Sequence, residues 1–274
     1  MNRKTIWIAA LAALAVLSGC AGAWQQTERP AAIGDGFIRV EGGTFLMGSP
    51  DGGVRDNNEL PMRSVTVSTF HMGRFPVTQG EWYDLVGENP SLFQGDKEDG
   101  GTAWRNLPVE RVNWFDAVQF ANARSERAGL APVYTISGTA VTWNRQANGY
   151  RLPTEAEWEF AARGGIVCRE NFTFAGSNNV AEVAWLMETS GGTTHPVGSL
   201  LPNALGLFDM NGNVYEWMWD WYGPYPDIAE TDPVGPADGT ARVRRGGCRN
   251  CQAWYVTATF RNGFNPEART GGIG

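Results

Sequence analysis

Between Arg242 and Gly274 the large side chains Trp254, Tyr255, Phe260 and Phe264 follow no period of 2 or 3.6, so this segment is written neither as an amphipathic strand nor as a helix. Gly246, Gly247, Gly263, Gly271 and Gly272 punctuate it, and only Val243, Val256 and Ile273 offer ordinary aliphatic burial. Large aromatics on a Gly- and Asn-rich backbone suit a contact surface, because Trp and Tyr supply wide contact area at little rotamer cost. The competing reading is that these rings finish the core of a loop-rich domain. The whole chain is built in the same manner, with 35 Gly, 15 Pro and 12 Trp in 274 residues. That composition favours one domain of much irregular backbone, long enough to bury a core. Solenoid-scale repeats, heptads and low-complexity tracts are absent from the sequence.

The N-terminus reads as an export signal. Residues 1–19 start with Arg3 and Lys4, continue through an apolar run from Thr5 to Leu17 too short to span a bilayer, and lead straight into Cys20. Leu17-Ser18-Gly19-Cys20 resembles the lipobox of bacterial lipoproteins, which implies acylation of Cys20 and attachment to a membrane through the N-terminal lipid. Residues 20–36 form a polar tether, and residues 37–274 the folded domain. Without the leader, 20 basic residues face 29 acidic ones, a net charge of −9. No nucleic-acid partner is expected of such a chain. Cys168, Cys248 and Cys251 make an odd set in an exported protein, so at least one thiol should be free.

Three helices are announced by their caps. Thr78 and Glu81 make a capping box ahead of Trp82, Leu85 and Val86, stopped by Gly87; Asn113 and Asp116 open a second helix that buries Ala117, Val118 and Ala121 and ends at Gly129. Thr154 and Glu157 cap a third helix carrying Trp158 and Phe160, ended by Gly164-Gly165. Glu155, Glu157 and Glu159 could suggest acid-base chemistry, but at helical spacing they fan over different faces, and acids in a first turn are commonly capping groups. From Phe37 short strands alternate with turns: Gly42-Gly43 reads as a hairpin turn, and Val65 and Val67 share one strand face.

Six motifs occur in the order seen in the formylglycine-generating enzyme (sulfatase-modifying factor) family: Gly42-Gly43-Thr44-Phe45-Leu46-Met47-Gly48-Ser49, Pro76-Val77-Thr78, Pro108-Val109 with Val112-Asn113-Trp114, Tyr150 through Glu159, Gly212-Asn213-Val214-Tyr215-Glu216-Trp217 and Arg245-Gly246-Gly247. The resemblance implies an α+β, C-type-lectin-like fold of this family's subtype, low in regular secondary structure. It also implies a structural calcium held by the side chains of Asp209 and Glu216 and the carbonyls of Gly212 and Val214, ligands whose oxygen chemistry suits a hard cation. No other cofactor is required. The family's oxidases place two cysteines five apart after Arg-Gly-Gly; here Cys251 takes the first position and Val256 the second. Cys248-Arg249-Asn250-Cys251 is a CxxC, weak as a zinc signal because only His71 and His195 could complete the site, and it lacks the helix pattern that lowers a redox thiol's pKa.

The C-terminal segment also resembles the variable region of retroelement-diversified proteins, particularly the variable surface lipoproteins of treponemes, on Arg245-Gly246-Gly247, Arg261, Asn265-Pro266, Arg269 and Ile273-Gly274. That family continues Ile-Gly with Phe-Arg and a closing strand, and commonly has Trp where Arg249 stands. The resemblance implies a fixed frame with rewritten, solvent-accessible positions between: Arg249, Asn250, Cys251, Gln252, Trp254, Tyr255, Phe260, Asn262, Gly263 and Phe264. The resulting expectation is a monomeric, non-enzymatic lipoprotein displayed at a bacterial outer membrane or cell surface, whose segment 242–274 binds a protein or other surface ligand. A formylglycine-generating or related thiol oxidase is the first alternative, and a structural subunit of a surface complex the second.

Overall fold

The computed structural model describes residues 36–50, 58–95 and 101–274; the signal peptide, Cys20 and the tether up to residue 35 lie outside the described residues. The fold mixes short strands and helices, with long stretches of irregular backbone between them. Its N-terminal part is two crossed ribbons. Strand β1 (Phe37–Val40) runs antiparallel to β4 (Phe70–Gly73), and β2 (Gly43–Met47) antiparallel to β3 (Arg63–Val67), so Gly42-Gly43 is not a hairpin turn. The chain instead passes from one ribbon to the other there. Gly42 is packed onto the second crossing point, and a Cβ on it would stand 2.6 Å from the Val67 carbonyl oxygen and 2.7 Å from the Thr69 nitrogen. Ile38, Val40, Met47, Val65, Val67, Phe70 and Met72 are thereby turned into one buried cluster, with Val65 and Val67 on one face as their spacing requires.

The three helices form where their caps place them. Helix α1 (Gln79–Val86) has the Thr78/Glu81 capping box and stops at Gly87 in the left-handed region. Helix α2 (Trp114–Arg127) is capped reciprocally by Asn113 and Asp116 and buries Trp114, Val118, Phe120 and Ala121, while Ala117 is only half-buried. Trp82 of α1 stacks on Phe120 of α2 at 4.8 Å. A hairpin of β5 (Tyr134–Ser137) and β6 (Ala140–Trp143) follows. Helix α3 (Glu155–Ala162) keeps its Thr154/Glu157 box, yet all eight of its residues are buried, three glutamates included. A short helix α4 (Val180–Val183) leads into β7 (Ala184–Trp185), which pairs in parallel with β8 (Asn211–Gly212).

Strand β9 (Glu216–Trp221) comes next, and β10 (Glu230–Thr231) adds to β3 in parallel. Then β11 (Arg242–Arg245) inserts between β9 and β12 (Asn262–Phe264), giving the antiparallel order β12-β11-β9. This sheet carries the C-terminal segment. Two apolar clusters lie beneath it, one around Trp158, Phe160 and Met218, the other around Trp114, Trp217, Val256 and Ile273.

Candidate functional site

The segment after β11 is held from below by two arginines. Arg245, fully buried, pairs with the Glu159 carboxylate, lies 3.5 Å from Glu155, and donates to the carbonyls of Thr259 (2.6 Å) and Phe260. Arg261 grips Glu155 with two hydrogen bonds of 2.7 Å and donates to the carbonyls of Asn58 (3.1 Å) and Gly223 (2.8 Å). Burial alone would raise the Glu155 carboxyl, but the Arg261 and Arg245 guanidiniums hold it below the usual range. Glu157 serves the cap and pairs with Arg151 at 2.7 Å. Glu155 and Glu159 therefore anchor the C-terminal loops, while Glu157 serves the helix cap and Arg151.

The glycines of the Arg-Gly-Gly turn complete the frame. Gly247 has φ +77°, and a Cβ there would meet the Tyr255 carbonyl oxygen and the Val256 side chain at 2.5 Å. Val256 is fully buried. Asn211 ties it down, donating to the Val256 carbonyl (3.1 Å) while accepting from the Ala175 amide (2.7 Å).

Between these anchors the ten sequence-predicted surface residues divide. Asn250 is exposed, and Gln252, Trp254, Tyr255, Phe260, Asn262, Gly263 and Phe264 are half-buried. Arg249 and Cys251 are buried, contrary to the expected exposure. The reason is the loop 186–194 laid against them. Arg249 donates from Nε to the Gly192 carbonyl (3.0 Å) and also to the Gly271 carbonyl, and its guanidinium covers the Phe93 ring at 4.1 Å; Cys251 accepts through its own carbonyl from the Met187 amide (3.0 Å). Gly263 is also tighter than a rewritten position allows, because a Cβ would stand 2.6 Å from the Tyr222 ring. The rings pack on one another: Trp254 and Tyr255 are 5.6 Å apart, and Phe260 meets Tyr255 edge-on at 5.0 Å.

Four of the ten, Asn250, Cys251, Tyr255 and Asn262, open onto one pocket of about 350 Å³, together with Tyr215, Arg244, Cys248, Thr270 and Gly272. Sequence reasoning missed Arg244 and Tyr215 as site residues. The available signal was the alternation in β11, where buried Val243 and Arg245 flank a half-buried Arg244. Its guanidinium sits between the Tyr215 and Phe264 rings, 4.0 Å from each. Cys248 and Cys251 are both free thiols.

Asp209, Gly212, Val214 and Glu216 lie on the stretch that runs through β8 to the start of β9. Asp209, Gly212 and Asn213 all have positive φ (55°, 71° and 60°), which curls the backbone sharply. Asp209 accepts from the Gly198 amide (2.7 Å) and from Asn213 Nδ2 (3.4 Å), and Glu216 accepts from Trp158 Nε1 (3.4 Å). Neither carboxylate forms an ion pair among the described residues. Burial pushes Asp209 up to about 6 and Glu216 to about 7, Asp209 adding to the latter. Two desolvated acids without a cation fit an oxygen-ligated metal ion. Among the described residues no three His, Cys, Asp or Glu side chains converge, so backbone carbonyls would have to complete any such shell.

The sulfatase-modifying factor enzyme 1-like domain matches residues 24–274. The chain belongs to this family. It is 37% identical over 302 aligned positions to a chaperone protein, LppX, of Paenibacillus barcinonensis, covering 97% of this chain and 96% of that one. To the formylglycine-generating enzyme of Streptomyces coelicolor it is 31% identical, covering 87% of each. The solved structure of Treponema denticola variable protein 1 superimposes with a TM-score of 0.78 at 32% identity, over 87% of this chain and 92% of that one. Similarity thus runs from this chain to a formylglycine-generating enzyme, a chaperone protein and a variable protein alike, and membership of the family alone does not assign an activity. Among the described residues no helix is long and apolar enough to cross a membrane.

Proposed function

We propose that this protein is a non-enzymatic, C-type-lectin-like display lipoprotein whose segment 242–274 binds a protein or other surface ligand and is diversified by a retroelement. The observation that carries this reading is the division within the segment: Arg245, Gly247, Val256 and Arg261 are locked into the core, while Asn250 is exposed, Gln252, Trp254 and Asn262 are half-buried, and Asn250 and Asn262 line the pocket. The likeness to a variable protein supports it. So does Val256, fully buried at the position where the oxidase pattern needs a second cysteine. Anchoring through an acylated Cys20 would place the domain at the bacterial surface, and the acid loop of Asp209 and Glu216 would hold a structural calcium rather than a reactive metal.

Two measurements test this. A Cys-containing sulfatase-type peptide incubated with the protein, copper and oxygen should gain no formylglycine; turnover at the rate of a genuine oxidase would return the chain to the enzymes of its family. Wild-type protein expressed with its leader should partition into detergent and the Cys20→Ala variant into the aqueous phase, because each buried methylene of an acyl chain contributes about 0.8 kcal/mol. Equal aqueous partitioning of both would remove the anchor.

A further inference from the structure

The pocket at the segment's centre contains chemistry that ligand display does not use. Cys248 and Cys251 both line it. The Cys248 amide donates to Cys251 Sγ (3.1 Å), and the Cys251 thiol donates to the Tyr215 hydroxyl oxygen at 3.3 Å. Cys251 is the more deeply held of the two, and Cys248 is half-buried at the pocket wall. Arg244 faces the same space between its two rings, has no ion-pair partner among the described residues, and leaves its buried Nε unpartnered. Asn250, Asn262 and Thr270 supply the polar rim.

We infer that this pocket is a dithiol site that captures a small anionic disulfide, with Cys248 as nucleophile, Cys251 as resolving thiol and Arg244 as the seat for the ligand's carboxylate. A volume of about 350 Å³ accommodates a molecule of that size. A desolvated, unpaired guanidinium selects for an anion, because an approaching carboxylate restores the hydrogen bonds that burial removed. The thiol chemistry agrees. The neighbouring Cys251 side chain, against the opposing effect of burial, brings the Cys248 thiol down to about 7, with the Asn250 amide and the Arg249 and Arg244 cations helping. Cys251 is pushed up by the neighbouring Cys248 side chain and by burial, so it stays protonated beside Tyr215. No helix N-terminus is needed for this activation.

The exchange balances in two steps. The Cys248 thiolate attacks one sulfur of R–S–S–R′, forming the Cys248–S–S–R bond and breaking the ligand's S–S bond, and R′S⁻ leaves. Cys251 sulfur then attacks Cys248 Sγ, expelling RS⁻, and the Cys251 proton ends on the departing thiolate. The protein dithiol is oxidised by two electrons and the ligand is reduced to two thiols. The reaction is stoichiometric and stands independently of which partner the outer surface binds.

The test uses the reduced protein with two probes of the same reactive bond and opposite charge, 3,3′-dithiodipropionate and cystamine, followed by mass spectrometry and free-thiol titration. Dithiodipropionate should react about tenfold faster than cystamine after correction for their rates with an unstructured CxxC peptide, the scale on which a fixed charge steers a small ion. The rate should rise with pH through a midpoint near 7. Cys251→Ser should stall as a mixed disulfide on Cys248, and Cys248→Ser should not react. Arg244→Met should erase the preference and Arg244→Lys keep it, the second variant separating lost charge from lost folding. Equal corrected rates for the two probes in the wild type would overturn the assignment, as would labelling of Cys251 in Cys248→Ser as fast as wild-type reaction.

Discussion

Arg245→Ala should cost this protein about 3–5 kcal/mol, the usual penalty for leaving one member of a buried ion pair without its partner. The residue is fully buried, and its pair Glu159 likewise. Three consequences follow from one truncation. Among the described residues Glu159 then keeps Arg163, at 3.0 Å, and the Gly48 amide (2.8 Å) for its charge. The carbonyls of Thr259 and Phe260 lose the donor that fixes the turn into β12. Trp158 loses the guanidinium 5.0 Å from its ring. For a domain of this size the midpoint of thermal unfolding should fall by roughly 6–20 °C, read by calorimetry or circular dichroism. Arg245→Ala together with Glu159→Ala should restore part of that loss, since the isolated buried charge is removed along with its partner. A double variant no more stable than Arg245→Ala alone would show that the pair does not act as a unit.

The helices were legible in the sequence because their signals are local. Thr78 and Glu81, Asn113 and Asp116, and Thr154 and Glu157 each lie three residues apart, and all three capping boxes form. Gly42-Gly43 was not legible, because a crossing between ribbons is decided by strands β3 and β4 more than twenty residues further on, not by the two glycines. Glu155 and Glu159 carried no mark of their partners, which lie 106 and 86 residues away along the chain. In the C-terminal segment, composition announced a surface but could not rank its residues. Arg249 and Cys251 are covered by the loop through Met187 and Gly192, and nothing in the segment's own sequence foretells that cover. Arg244 was overlooked for the converse reason, because an arginine in the run Arg242-Val243-Arg244-Arg245 reads as part of a solvated strand until the Tyr215 and Phe264 rings are seen against it.

If the acid loop holds the proposed calcium, its removal should reverse the way stability depends on pH. In metal-free protein, Asp209 and Glu216 have folded-state pKa values near 6 and 7, raised by burial above the 3.8 and 4.5 of unconstrained carboxyls. Raised acids favour the folded state below their unfolded values, and that contribution is lost as the pH climbs through 6 and 7. At about 1.4 kcal/mol per pKa unit the pair amounts to a few kcal/mol. Bound calcium would hold both carboxylates ionised and lower their folded pKa values, so the same pair would then stabilise at neutral pH and weaken on acidification. Asp220, raised to about 8 by burial and by Glu155, contributes in the same sense with or without the ion, so the difference between the two curves isolates the acid loop. Melting curves from pH 5 to 8 in EDTA and in millimolar calcium should diverge as pH rises, with roughly 2.7 kcal/mol separating them once calcium reaches about a hundred times its dissociation constant. Superimposable curves at pH 8 would mean that the loop binds no calcium.

The separation of an exchangeable surface from a fixed frame is tested most directly by one comparison. The variant Asn250→Ser, Gln252→Ser, Trp254→Ser, Asn262→Ser, changed at all four positions together, should unfold cooperatively and within about 8 °C of wild type, since surface changes usually cost about 0.5 kcal/mol apiece. It should remain more stable than the single variant Arg245→Ala. A quadruple variant that fails to fold, or that melts at or below Arg245→Ala, would show that these residues are core and that segment 242–274 is not a surface free to change.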